Sequence, residues 1–273
     1  MNNFVSRTLS GIVFVGLIIG SIWYSPVSFA IVLFVVNFLG VIELQTLMNQ
    51  SASLSRETRI INLVSSVLLY LTLAAVALEW LDIIWLLPAS LLLMLPFLTA
   101  LFSRHDSFMQ VTSNAWSSFF FISLPSGLLL FFFNHNIVGT QAGPLLVIVL
   151  LVMIWANDVF AYLIGSWLGR HRLFERISPK KSWEGAIGGL VMTLLLTMAF
   201  HYFTHFMPLS RLLGMALIVV ITAILGDLTE SLIKRQAGMK DSGSLIPGHG
   251  GILDRFDATF HATPFVFVYL MIS

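Results

Sequence analysis

Cysteine is absent from this chain of 273 residues. Its absence excludes disulfide bonds, thiolate nucleophiles and metal sites with cysteine ligands. Charged residues are also scarce, at 10% of the chain, whereas hydrophobic residues make up 58%. With a net charge of only +1, the chain has no basic stripe for nucleic acid, so we exclude a nucleic-acid partner. This composition is typical of an integral membrane protein.

Apolar runs of membrane-spanning length recur along the whole sequence. A transmembrane helix needs about 20 apolar residues, and the chain divides into about nine such runs. We therefore predict an all-α, polytopic membrane protein with about nine transmembrane helices. The predicted spans run near residues 8–25, 27–43, 60–78, 82–102, 113–133, 144–168, 186–206, 210–233 and 256–273. Because nearly the whole length is needed for them, we expect one integral membrane domain, residues 1–273.

The basic residues predict the orientation of these spans. If nine spans alternate from a cytoplasmic N-terminus, thirteen of the fourteen Lys and Arg residues lie on the cytoplasmic side, and only Arg211 does not. This distribution follows the positive-inside bias. The two longest polar segments, 169–185 and 234–255, then face the cytoplasm. We expect residues 1–143 to form helical spans only, and residues 144–273 to carry a cytoplasm-facing active site.

The segment 227–257 is unusually rich in charge, with nine of the chain's 27 charged residues in 31 positions. A charged residue at the centre of a membrane helix costs about 2.5 to 3.5 kcal/mol on insertion scales, so such clusters usually mark function. A helical stripe is predicted for four of its polar residues by their i, i+3, i+4, i+7 spacing: Asp227, Glu230, Ser231 and Lys234. The stripe suits a hard cation.

Two further carboxylates, Asp254 and Asp257, stand three residues apart at the start of the last predicted span. A helix there could direct both towards the first stripe. Carboxylates from two helices, completed by water and phosphate, are a common way to hold Mg²⁺. The alternative is a buried ion-pair network, for instance Asp254 with Arg255 or Lys234.

A loop rich in glycine and proline, residues 243–251, separates the two acidic groups. Its successive backbone N–H groups could form a nest for phosphate. Four cations flank it: Lys234, Arg235, Lys240 and Arg255. A second polar patch, residues 177–189, adds Lys180 and Lys181. Asp158 lies inside the sixth predicted span, so we expect it to face the same polar cavity.

Other polar residues have simpler interpretations. The four-residue spacings of Gly165 with Gly169 and of Gly185 with Gly189 favour close helix packing over substrate contact. We interpret Glu43 as a solvated residue at the end of the second span. His201 and His205 are interpreted as interfacial residues, because no glutamate follows the metalloprotease spacing.

The charged segment resembles the signature of the phosphatidate cytidylyltransferases. The matching positions are Ser231, Lys234-Arg235, Lys240-Asp241, Gly243, Ile246-Pro247, His249-Gly250-Gly251, Asp254-Arg255 and Asp257. The resemblance extends to SPKKSWEG at 178–185 and NDVFAY at 157–162. It implies transfer of a cytidylyl group from CTP to phosphatidate, giving CDP-diacylglycerol and pyrophosphate, with Mg²⁺ required. It also implies a homodimer in the bacterial inner membrane.

Spacing and resemblance together give a hypothesis for the role of each residue. The metal would be held by Asp227 and Asp254, with a second metal ion compatible but of unassigned identity. The catalytic residues would be Asp227, Lys234, Asp254 and Asp257. The residues that bind substrate would be Lys180, Lys181, Ser231, Arg235, Lys240, His249, Gly250, Gly251 and Arg255.

Two other functions compete with this one. A CTP-using lipid enzyme of the polyprenol kinase type would transfer the γ-phosphate and release CDP instead of pyrophosphate. A secondary transporter of an anionic solute would show repeated halves and polar groups near the membrane midplane. The sequence shows neither, because its polar residues gather at one predicted membrane face.

Overall fold

A computed structural model describes residues 3–51, 54–134, 143–239, 241–243 and 250–273. Helices form most of the described chain, and the one sheet found in these ranges is a two-stranded hairpin. This confirms the predicted all-α class. The chain divides into two compact units. The first unit comprises residues 1–134 and 233–256, and the second unit comprises residues 135–232 and 257–273.

The first unit is built on the N-terminal helices. They are α1 (Asn3–Tyr24), α2 (Pro26–Ser51), α3 (Arg56–Ala77), α4 (Leu86–Ser90), α5 (Leu95–Phe102), α6 (Phe108–Ser118) and α7 (Leu124–Phe131). Short 3₁₀ turns at Ile83–Trp85 and Leu91–Met94 flank α4. A π-helical turn, Phe119–Ser123, joins α6 to α7.

The remaining elements follow residue 142. They are α8 (Gly143–Leu168), β1 (Arg172–Phe174), β2 (Ser178–Ser182), α9 (Trp183–Thr204), α10 (Leu209–Gln236) and α11 (Leu253–Ile272). The strands pair antiparallel, with Arg172 opposite Ser182 and Phe174 opposite Ser178. The last residues of α10 and the first residues of α11 belong to the first unit.

Among the described residues, seven helical segments are long and apolar enough to cross a membrane, judged by length and composition. They are Pro26–Gln50, Arg56–Ala77, Ile83–Phe102, Phe108–Phe131, Gly143–Leu168, Trp183–Thr204 and Leu209–Gln236. The part Leu9–Tyr24 of α1 is apolar but shorter than these seven segments. The chain is therefore an integral membrane protein, while the number of nine spans stays a prediction.

Prolines mark the starts of two helices in the first unit. Pro96 stands in the first turn of α5 and Pro125 in the first turn of α7. Proline has no backbone N–H and clashes with the preceding turn, so a helix tends to restart there.

Buried polar pairs hold neighbouring helices together: Asn37 donates to Ser123 Oγ at 3.0 Å, and the Tyr70 hydroxyl donates to the Ala30 carbonyl at 2.6 Å.

Asp106 ties the loop between α5 and α6 to the start of α3. Its carboxylate accepts hydrogen bonds from the Ser55 N–H at 2.8 Å, the Thr58 hydroxyl at 2.5 Å and the Ser103 hydroxyl at 3.1 Å. Burial alone would raise the pKa of Asp106, but the hydrogen bonds from Thr58, Ser55 and Ser103 outweigh it and lower the pKa to about 2. The carboxylate is therefore ionised at neutral pH and organises the N-cap of α3.

The Asp106→Asn variant should be less stable than the wild type by about 1 to 2 kcal/mol at pH 7, because an amide replaces an ionised acceptor. The pKa of Asp106 is depressed on folding, so its contribution is present above about pH 4 and is lost as the pH falls towards 2. Thermal unfolding in detergent at pH 7 and pH 3 measures this. The difference in melting temperature between the variant and the wild type should be smaller at pH 3 than at pH 7. An equal difference at both pH values would contradict the stabilising role of the ionised Asp106 carboxylate.

Glycines allow α8 and α9 of the second unit to approach closely. A Cβ at Gly189 would lie 2.7 Å from the side-chain oxygen of Asn157, and one at Gly185 would lie 2.6 Å from the Ala161 carbonyl. Both distances are shorter than real Cβ contacts, so no larger side chain fits without separating the helices. This confirms the packing role predicted for these glycines.

Candidate active site

A cluster of three carboxylates lies in the second unit. Asp227 and Glu230 come from α10 and Asp257 comes from α11, and one oxygen of each lies within 4.8 Å of the others. In the part of the chain that the structure describes, this carboxylate cluster is the one group of three or more acidic or histidine side chains close enough to share a cation. It offers oxygen ligands only, which hard divalent cations prefer.

Glycine brings the two helices together beside the carboxylate cluster. Gly226 directly precedes Asp227, and a Cβ at Gly226 would lie 2.7 Å from the Cβ of His261 and 2.9 Å from the backbone oxygen of Asp257. A side chain at position 226 would therefore push this part of α11 away from α10. The close approach allows Asp257 to reach the carboxylates of α10.

Lys181 supplies a positive charge to the carboxylate cluster. Its ammonium group forms a salt bridge with Asp227. Ser231 donates to the other oxygen of Asp227 at 3.3 Å, as the predicted helical stripe requires. Asp158 of α8 interacts electrostatically with both Asp227 and Lys181. Asp158 therefore lies near two of the polar residues, while a polar cavity shared with the rest of segment 227–257 stays a prediction.

The β-hairpin that carries Lys181 was not predicted from the sequence, and hydrogen bonds hold the chain just before β1 and just after β2. Ser182 caps α9 by accepting a hydrogen bond from the Gly185 N–H at 3.1 Å. Glu184 accepts hydrogen bonds from the backbone N–H groups of Arg170 and His171 at 3.1 and 3.2 Å, and it contacts the His171 ring nitrogen at 2.6 Å. Lys180, the neighbouring predicted substrate ligand, is exposed.

A second acidic site lies in the first unit, around Asp254. Lys234 donates to one oxygen of Asp254 at 2.6 Å. The other oxygen accepts from the Ser242 N–H at 3.0 Å, the Ser242 hydroxyl at 2.9 Å and the Gly251 N–H at 2.9 Å. Burial would raise the pKa of Asp254, but the hydrogen bonds from Lys234 and Gly251 lower it to about 2. Asp254 is therefore ionised and fully engaged.

The backbone beside Asp254 requires glycine. Gly250 has φ of +85°, a conformation that side chains disfavour, and a Cβ there would lie 2.7 Å from the Asp254 carboxylate. The turn therefore brings the Gly251 N–H within hydrogen-bonding distance of Asp254. The acceptor seen here is a protein carboxylate, and the binding of phosphate by this backbone stays a prediction.

Glu43 is buried, so its interpretation as a solvated residue at the end of a helix was wrong. Its side chain is 5% exposed. One oxygen accepts from the Ile252 N–H at 3.0 Å, and the other accepts from the Leu253 N–H at 3.0 Å and lies 3.2 Å from the Ser242 hydroxyl. The sequence carried one signal: an acid that closes an apolar run needs a partner if it is not solvated.

The other predicted site residues are distributed as follows. Arg235 and Arg255 are exposed at the end of α10 and the start of α11. Lys240 and His249 lie outside the described residues. The structure brings Asp227 together with Glu230 and Asp257, and Asp254 together with Lys234. A metal ion shared by Asp227 and Asp254 stays a prediction, since the two residues belong to different units.

Known proteins with similar sequences share one name, phosphatidate cytidylyltransferase. Phosphatidate cytidylyltransferase of Haemophilus influenzae is 40% identical over 149 residues, which cover 53% of this chain and 52% of the relative. The Staphylococcus aureus (strain COL) protein of the same name is 46% identical over 123 residues, covering 45% and 47%. The Synechocystis protein is 45% identical over 132 residues, covering 48% and 44%.

These alignments are partial, and the chain spans about half the length of the curated relatives it matches. The sequence model of the cytidylyltransferase family, by contrast, matches residues 5–273, which is nearly the whole chain. That match includes both the carboxylate cluster and the surroundings of Asp254. The chain belongs to the cytidylyltransferase family.

Proposed function

We propose that this protein transfers the cytidylyl group of CTP to phosphatidate and releases CDP-diacylglycerol and pyrophosphate. The observation that carries the proposal is the carboxylate cluster of Asp227, Glu230 and Asp257 with Lys181 on Asp227. Triphosphates are bound in proteins by such a combination of oxygen ligands for a cation and a nearby lysine. The names of the relatives support this choice of nucleotide and lipid.

The carboxylate cluster fits a divalent cation by the chemistry of its donors, since hard cations take oxygen ligands and Mg²⁺ usually binds few carboxylates together with phosphate and water. Asp227, Glu230 and Asp257 would hold it, and Mg²⁺ is the ion that we propose. Bound there, the cation would neutralise charge on the triphosphate.

The reaction needs no nucleophile from the protein. Phosphatidate is a phosphate monoester with a second pKa of about 6, so it is largely dianionic near neutral pH. One of its oxygens would attack the α-phosphorus of CTP, and the bond from that phosphorus to the bridging oxygen of the β-phosphate would break. The chain's own part is to orient the two phosphate groups and to compensate their charge, which is compatible with a chain that contains no cysteine.

Lysine and arginine side chains would provide that compensation. The side chains of Lys181 and Asp227 are 29% and 36% exposed, so a soluble nucleotide can reach them. When CTP binds, the Lys181 ammonium group would leave Asp227 and contact a phosphate oxygen of CTP. The exposed Lys180 would add a second positive charge beside the same phosphates. Lys234, Arg235 and Arg255 are the proposed phosphate ligands of the first unit.

The orientation of the protein in the membrane is part of the same proposal. Residues 1–273 would form one membrane domain in the bacterial inner membrane, with a cytoplasmic N-terminus and the site on the cytoplasmic face, where CTP is available. The distribution of Lys and Arg supports this topology. A homodimer is part of the proposal by family resemblance alone.

The products of the reaction test this function. Purified protein in detergent should transfer label from α-labelled CTP to lipid in the presence of phosphatidate and Mg²⁺, and it should release one pyrophosphate per labelled lipid. Omitting phosphatidate, or chelating the metal with EDTA, should abolish the transfer. Label from γ-labelled CTP in the lipid, with release of CDP, would contradict the proposal and favour a lipid kinase.

A further inference from the structure

Glu43 is a buried carboxylate for which the proposed reaction has no direct use. It lies in α2, in a segment that is otherwise largely apolar, and its side chain is 5% exposed. Burial of an isolated carboxylate is very costly unless hydrogen bonds compensate for the lost water. Both oxygens of Glu43 have such partners, and these partners are more than 190 residues away in sequence, in the segment around Asp254.

The first group of partners is the start of α11. Glu43 accepts hydrogen bonds from the backbone N–H groups of Ile252 and Leu253, both at 3.0 Å. The first N–H groups of a helix have no partner within the helix, and a negative charge is favourable there. Asp254 is the next residue along the chain. Glu43 therefore fixes the backbone from which the Asp254 side chain extends.

The second partner is Ser242, whose hydroxyl lies between two carboxylates. Its oxygen is 2.9 Å from Asp254 and 3.2 Å from Glu43. Ser242 also donates its backbone N–H to Asp254. Glu43 and Asp254 therefore hold the same residue, and a displacement of Glu43 reaches Asp254 both through Ser242 and through α11.

Glycines allow this close contact on both sides of residues 244–249. A Cβ at Gly243 would lie 2.6 Å from one oxygen of Glu43, and a Cβ at Gly251 would lie 2.5 Å from the other. These distances leave no room for a side chain at either position. The Glu43 carboxylate thus lies directly against the backbone at Gly243 and at Gly251.

We propose that Glu43 is a positioning residue for cytidylyl transfer: it holds Ser242 and the start of α11 so that Asp254, with Lys234, is correctly placed for the substrate phosphates. The inference rests on the proposed function. Glu43 itself does not touch the substrate. Its substitution acts through Asp254, and a small displacement of a reacting group can lower the rate by roughly 100-fold.

The Glu43→Gln variant tests the inference, because it keeps the size of the side chain but places an NH₂ group against a backbone N–H. We expect kcat for CDP-diacylglycerol formation to fall roughly 100-fold, with a much smaller change in KM for CTP. Glu43→Asp retains the charge and should recover at least part of the lost rate. Ser242→Ala removes only the shared hydroxyl and should reduce kcat less than Glu43→Gln does.

Asn37→Ala is the matched control for a purely structural effect. Asn37 lies on the same helix, is fully buried and donates to Ser123 at 3.0 Å. Its substitution should lower the melting temperature in detergent and leave kcat nearly unchanged. If Glu43→Gln behaves like this control, or if Glu43→Asp loses as much of kcat as Glu43→Gln does, the positioning role is wrong.

A measurement without substrate separates this inference from the proposed function. Amide hydrogen exchange at Ile252 or at Leu253 should be at least about tenfold faster in Glu43→Gln than in the wild type and in Asn37→Ala, because glutamine keeps only one of the two oxygens that accept from these groups. Unchanged exchange overturns the inference whatever the activity. An inactive wild type with accelerated exchange in Glu43→Gln would instead contradict the proposed reaction and support the structural link.

Discussion

The Asp227→Asn variant is expected to lose on the order of 1,000-fold in kcat/KM for CDP-diacylglycerol formation. Asp227 provides an oxygen to the carboxylate cluster and is the partner of Lys181. Asparagine keeps the size of the side chain but removes the charge that would hold the cation and orient the lysine. Initial rates with labelled CTP over a range of Mg²⁺ concentrations measure the loss. The Mg²⁺ concentration for half-maximal activity should rise.

Glu175→Gln is the charge-matched control for this variant. Glu175 is exposed, lies in the same unit and is not one of the proposed site residues. Its substitution should leave kcat/KM within about twofold, as is usual for a surface residue away from a site. Wild-type dependence on Mg²⁺ in Asp227→Asn would exclude Asp227 from the metal site.

The second large effect is expected at Asp254. The Asp254→Asn variant should retain less than a tenth of the wild-type turnover, because Asp254 holds Lys234, one of the proposed phosphate ligands, in place. The side chains of Lys234 and Asp254 are only 13% and 10% exposed, so loss of this buried ion pair should also cost on the order of 3 kcal/mol of stability. Turnover per folded molecule, with the melting temperature in detergent, separates the two effects.

A double variant completes this experiment. Lys234→Met combined with Asp254→Asn replaces both members of the ion pair and should recover much of the stability without recovering turnover. Glu57→Gln, a neutralised exposed acid at the start of α3, is the control for the loss of one negative charge. More than about a tenth of the wild-type turnover in folded Asp254→Asn would remove Asp254 from the catalytic residues.

Much of the fold could be predicted because the signal for a membrane helix is local. The run 144–168 was predicted as a span, and α8 occupies Gly143–Leu168. Backbone groups cannot remain unpaired in lipid, so length and hydropathy largely determine such a helix. The hairpin of β1 and β2 was missed because strands of three and five residues are too short to show a periodic pattern.

The candidate site was predictable where it depends on helical spacing. Asp227 and Ser231 stand four residues apart, and the hydrogen bond between them follows from that spacing. The burial of Glu43 could not be predicted in this way, because its partners Ile252 and Leu253 are 209 and 210 residues away. Only the packing of the folded chain shows that this acid has backbone donors rather than water.

The contact between α8 and α9 also bears on attempts to stabilise the protein by engineering. Replacing glycine by alanine within a helix is a common route to higher stability, usually worth about 0.4 to 1 kcal/mol. By helix propensity alone, Gly185 and Gly189 would be among the first positions to choose. Here the added methyl group would strike α8, and α9 continues directly from the strand that holds Lys181. We therefore expect a substitution chosen for thermostability at these positions to weaken the proposed binding of nucleotide at Lys181.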